Sequence, residues 1–164
     1  MNSLPVPIGS HLAPLPIARN GARTVMAVLN AARLRQKVIF DALEERAGVS
    51  RSSWHGWRSG AREPSIALLL CVAQALGFDI IVRVNGAEIV VQDVPALVSG
   101  RFDARRRKLV LTLPALAAKS GVSAACWSAV ALGKQSPRLS SFVALANALG
   151  FDVLMRQRLS YSVA

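Results

Sequence analysis

The chain has 164 residues, 52% of them apolar, and carries 20 Lys and Arg against 9 acids for a formal net charge of +11. That length holds one ordinary domain or two small ones, and a basic excess of this size points to a polyanionic partner, most often nucleic acid and less often an acidic membrane surface. Cys71 and Cys126 stand alone, with no CxxC and no Cys/His cluster; they are too few to bind a metal and fit a reduced cytosolic chain.

Residues 1–20 read as a flexible arm, with Pro5, Pro7, Pro14 and Pro16 and no basic n-region. Such a stretch is neither a signal peptide nor a membrane span. His11 sits in it and reads as incidental.

The rest of the chain is a repeat. An offset of 73 residues lays Arg33 on Arg106, Gly48 on Gly121, Trp54 on Trp127, Gly60 on Gly133, Pro64 on Pro137 and Arg83 on Arg156. It also lays Ala75–Asp79 on Ala148–Asp152, without a gap. Internal repeats of this kind define the architecture before any single element does. The expected division is a first unit over 21–94 and a second over 95–164.

Within each unit the pattern is a run of short helices. Ser50 and Ser123 follow Gly-Val turns and stand where an N-cap is wanted, so Gly48–Ser50 and Gly121–Ser123 join two helices each. Trp54 and Trp57 share a face of the helix that follows and read as core anchors. Ile66, Leu69, Leu70, Ala73 and Leu76 make one buried helical stripe, repeated by Leu139, Phe142, Val143, Ala146 and Leu149. Gly77 and Gly150 end those helices. A β-rich run follows each: Phe78–Val84, then Asn85-Gly86 and a second run, which is a hairpin signal, and Phe151–Gln157 in the second unit. Pro95 starts the next helix.

The stretches LEERAGVSRSSWHGWRSGAREPS…LLCVAQALG and LAAKSGVSAACWSAVALGKQSPR…FVALANALG resemble the lambda-repressor/Cro-type helix-turn-helix, the xenobiotic-response-element family. The resemblance covers roughly residues 23–84 and 96–157. It implies a mainly α fold of two tandem lambda-repressor-like units, each followed by a short strand or hairpin, the strands pairing into a small sheet. It also implies sequence-specific DNA binding by the helix after each Gly-Val-Ser. Two family features are replaced. The Ser/Thr-Gln pair that opens the second helix is Ile39-Phe40 and Thr112-Leu113 here. The Glu that pairs with the first-helix Arg is Arg58 and Ala131, so that pair is absent from both units.

On this reading the first copy is the reader. Ser50, Arg51, Ser52, Ser53, His55, Arg58 and Arg62 are its DNA-facing candidates, with Arg51 suited to guanine because its fork meets O6 and N7 together. His55 is otherwise an ordinary exposed helix residue. In the second copy the same face holds Ser123, Ala124, Ala125 and Ser128, with Lys134 beyond. Alanine makes no side-chain hydrogen bond but touches a thymine methyl. Residues 96–164 carry ten Lys/Arg and two acids, concentrated in Arg105, Arg106, Arg107 and Lys108, so Arg105, Arg107 and Lys108 are expected to hold backbone phosphates. The alternative is a second copy that has lost DNA binding and serves for packing or partner contact.

The function expected is that of a bacterial or phage transcription regulator, cytoplasmic and nucleoid-associated, bound to double-stranded DNA. It acts as an intramolecular pseudo-dimer or as a homodimer through strands or the second unit. A DNA-binding antitoxin and a nucleoid protein without sequence preference are the competing binding functions. No paired carboxylates, Cys–His dyad or Gly-rich phosphate loop suggests an enzyme, and no cofactor, metal or membrane partner is expected.

Overall fold

The computed structural model describes residues 13–159, so His11 and most of the expected arm lie outside the described residues. The chain is mainly helical with one four-stranded antiparallel sheet, in the order β1-β4-β2-β3. Strand β1 (Leu15–Pro16) leads into α1 (Ala22–Arg35), α2 (Phe40–Ala47), α3 (Arg51–Ser59), α4 (Ile66–Ala75), β2 (Phe78–Val84) and β3 (Ala87–Val90). The second half contains α5 (Val94–Leu97), a π-helical stretch Val98–Phe102, and α6 (Asp103–Lys108). It continues with α7 (Leu113–Ser120), α8 (Ala124–Ala131), α9 (Leu139–Ala148) and β4 (Asp152–Gln157).

Local chemistry sets these boundaries. The Oγ atoms of Ser50, Ser65, Thr112 and Ser123 each accept the backbone N–H three residues on, capping α3, α4, α7 and α8. Gly48 and Gly121 close α2 and α7 in the left-handed region, at φ +66° and +75°, where a side chain is strained. Asn85 and Gly86 both have positive φ, the geometry of a two-residue hairpin turn between β2 and β3. The caps, helix stops and hairpin therefore fall where the residue pattern expects them. Trp54 and Trp57 are buried in the core with both apolar helical stripes.

The 73-residue offset reappears in the elements: α2 on α7, α4 on α9 and the start of α3 on that of α8. The halves dock about a pseudo-two-fold axis. Strands β2 and β4 pair antiparallel with Ile81 opposite Leu154, and each is the other's counterpart in the repeat. A second self-pairing joins Ser65 to its counterpart Arg138 in an isolated bridge. Around it Ile66 N–H donates to Pro137 O (2.9 Å) and Leu139 N–H to Pro64 O (3.0 Å), again a reciprocal pair.

The outer strands obey the same symmetry in an exchanged way. Leu15 lies opposite Met155 as Ile89 lies opposite Val82. Ile17 N–H donates to Val153 O and Val91 N–H to Ile80 O, both at 2.8 Å, and Ile17 and Val91 are both buried. So β1 is to β4 what β3 is to β2. Each half sends its first strand to the edge of the other half's last strand. Leu15–Pro16, at the end of the expected arm, is a strand docked on the sheet, and β3 takes in the pairing the place that β1 takes, with the Asn85-Gly86 turn between β2 and β3.

The gap-free alignment also fails inside the first helix of each half. The second half's first helix runs from Val94 to Lys108, one residue longer than α1, and contains the π-helical stretch. A π-bulge is how a helix absorbs one inserted residue. Beyond it the register is restored: Arg33 Nη1 donates to Val38 O (3.0 Å) and Arg106 Nη1 to Leu111 O (2.7 Å), both five residues on. Before it, Pro95 packs over Gly133 where Arg23 packs over Gly60.

Candidate nucleic-acid interface

Helix α3 presents two polar stripes. Arg51, His55 and Arg58 are exposed at i, i+4 and i+7, one face of a helix. Ser52 lies on the neighbouring stripe, where Arg62 folds back along the helix and donates from Nη2 to Ser52 Oγ at 3.1 Å. Gly56 makes room for that arm, since a Cβ there would lie 3.0 Å from Arg62 Nε. Ser50 and Ser53 are engaged with each other: the Ser50 hydroxyl accepts from Ser53 N–H and contacts Ser53 Oγ, both at 3.1 Å. Of the seven residues expected on this face, Arg51, Ser52, His55, Arg58 and Arg62 are the exposed ones.

Phe40 is the residue that sequence reasoning passed over. Its ring meets Trp54 edge-on at 6.3 Å and His55 at 5.4 Å between centroids. The Arg33 guanidinium carbon lies 4.3 Å from its centroid and that of Arg51 lies 5.1 Å away. The aromatic face attracts both cations. Arg33, whose expected acidic partner is missing, is held instead by Phe40, by Val38 O and by Asn30 Oδ1 (3.3 Å). One ring thus ties the first helix to the base of Arg51 and His55.

Helix α8 differs. Ser123 caps it by accepting Cys126 N–H at 3.1 Å. Ala125 and Ser128 are exposed, Ala124 is half-buried, and no charged side chain lies on the helix. Gln135, the counterpart of Arg62, reaches Cys126 Sγ at 3.2 Å. Lys134 is exposed just beyond.

Three of the four bases in the run 105–108 are engaged by other groups of the chain, and two of them, Arg105 and Arg106, are part-buried. Arg105 Nε donates to Leu149 O at 3.0 Å, satisfying a carbonyl at the end of α9. Arg106 pairs with Asp103 (2.8 Å) and Leu111 O, and Arg107 pairs with Asp103 at 2.9 Å. Lys108 is exposed and has no ion pair among the described residues. The unpaired cations that the fold gathers near α3 are instead Arg23 and Arg58, side by side on a shallow recess, with Arg19 and Arg138 beyond. A repeat-based reading missed Arg23 because the inserted residue hides that its counterpart is Pro95.

Among the described residues no helix is long and apolar enough to cross a membrane, and no group of His, Cys, Asp and Glu could hold a metal ion. Comparison with family models, curated proteins and solved structures finds no match to this chain.

Proposed function

We propose that the protein is a sequence-specific double-stranded DNA-binding transcription regulator. It carries two tandem lambda-repressor/Cro-like helix-turn-helix units joined as an intramolecular pseudo-dimer. The observation that carries this reading is the capped helix α3, set behind a Gly-closed turn, with Arg51, Ser52, His55 and Arg58 exposed along it. Helices used this way lie in the major groove and read base edges through their first residues. The reciprocal docking of the halves supports the pseudo-dimer, because a two-fold arrangement is how such units engage successive turns of duplex, about 34 Å apart. On this reading α3 reads one half-site by hydrogen bonding. Helix α8, with Ala124, Ala125 and Ser128, meets a looser half-site through apolar contact.

Selection of bound duplexes from a random library tests the reading, followed by mass-resolved stoichiometry on the recovered site. The expected outcome is one chain per asymmetric site, with half-site centres about 10–10.5 base pairs apart. Arg51→Ala should weaken the selected site by about 1–3 kcal/mol and relax one or two positions within it. Recovery of no enriched sequence, or a mutant that loses affinity equally for every duplex, overturns the sequence-reading role.

A further inference from the structure

An open cleft of about 890 Å³ lies between the halves. Its walls are the linker after β1, the start of α1, the loop after α3 and the start of α9. Trp57 lines it, and so do Arg19, Arg23, Arg62 and Arg138. None of these arginines forms an ion pair among the described residues. The one carboxylate in the wall, Glu63, is already occupied. Its Oε1 accepts Ser140 N–H and its Oε2 accepts Ser140 Oγ–H at 2.9 Å, which satisfies the first turn of α9. Four like charges therefore share one concavity with a single carboxylate whose oxygens are turned to Ser140, an excess of positive charge that favours a bound anion.

The repeat supplies an internal control. At the pseudo-symmetric place, Arg23 is replaced by Pro95, Arg62 by Gln135 and Arg138 by Ser65. The linker carrying Arg19 is two residues shorter, running from Val91 to Val94 where the first runs from Ile17 to Ala22. Lys134 is the one base gained there, in place of Ala61. The fold does not require arginines at these positions, since its own second copy does without them.

We propose that this inter-unit cleft is a phosphate-binding site, taking closely spaced phosphate oxygens on the guanidinium groups of Arg23 and Arg138, with Arg19 and Arg62 at its rim. Planar guanidinium groups match phosphate oxygens in geometry as well as charge. The phosphates come either from a DNA backbone or from a soluble oligophosphate such as a nucleotide. The site stands on the cleft itself and does not depend on the DNA-binding reading.

The test uses the full chain and the double variant Arg23→Gln/Arg138→Gln, with Arg83→Gln/Arg156→Gln, both paired to Glu88 on the sheet, as the charge-matched control. Thermal melting checks that all three fold. Inorganic tripolyphosphate is titrated by calorimetry, and a random-sequence duplex by fluorescence anisotropy with and without tripolyphosphate. The double variant should lose about tenfold or more in affinity in at least one arm, while the control keeps the wild-type value. Loss for the duplex, with tripolyphosphate competing against it, identifies the DNA backbone as the source. Loss for tripolyphosphate with duplex binding unchanged, or with no duplex binding at all, identifies a soluble ligand. A folded double variant that matches the wild type in both arms overturns the site.

Discussion

Replacing Phe40 by leucine removes one ring and with it one link between the first helix and α3, the direct approach of Arg33 to the Trp54 ring remaining. The fold tolerates the change in shape, because Leu113 holds the same place in the second half. The loss has two parts. The edge-on pair with Trp54 at 6.3 Å belongs to a class worth about 0.5–1.5 kcal/mol beyond area. The contact with Arg33 at 4.3 Å adds about 0.5–1 kcal/mol, since Phe40 is only half-buried. Arg51, exposed and farther from the ring at 5.1 Å, contributes less. The sum is about 1–2.5 kcal/mol, which in a chain of this size lowers the melting temperature by about 2–10 °C. Urea unfolding should show the midpoint falling at constant m. A double-mutant cycle with Arg33→Gln should give a coupling of about 0.5 kcal/mol or more. An unchanged midpoint with zero coupling would refute the idea that Phe40 replaces the missing ion pair.

Arg106→Ala should cost about 1.5–3 kcal/mol, because it breaks a charged pair 17% exposed and orphans Leu111 O; Arg107→Ala, 74% exposed, should cost under about 1 kcal/mol, and equal losses in chemical denaturation would contradict the assignment. Cleavage of the chain at Asn85-Gly86 should leave two fragments that stay together on native mass spectrometry, held by the exchanged strand pairs β1–β4 and β2–β3. Fragments that separate and fold alone would show the exchanged pairing to be dispensable.

The legible part of the fold was the part written in local chemistry. Serine caps, left-handed glycines and the Asn-Gly turn act over three or four residues, so their signals lie next to the structure they cause. The strand Leu15–Pro16 was not legible: two residues beside prolines carry no strand pattern, and their partner Met155 is far along the chain. The inserted helical residue was hidden because the strongest matches of the repeat all lie after it. For the candidate site, sequence found the exposed face of α3. It could not see that Arg105 turns inward to Leu149 O, because a run of cations reads the same whether its carbonyl partners lie inside or its phosphates outside. Phe40 was noted as a departure from a pattern, but its work is done through space, on Arg33, Trp54 and His55 together.

The Asn85-Gly86 turn makes one molecule of what would otherwise be two. A symmetric pair of separate chains comes apart on dilution, and the concentration of assembled pairs then rises with the square of the chain concentration. With the halves tethered, each meets the other at an effective concentration fixed by the two-residue turn, about millimolar for short connections. The assembled form is then as complete at a few copies per cell as at thousands, and any response to abundance is linear. The tether also frees the two faces from one another in inheritance. A substitution in a homodimer appears twice, but here α8 carries Ala124 and Ala125 while α3 carries Arg51 and Ser52.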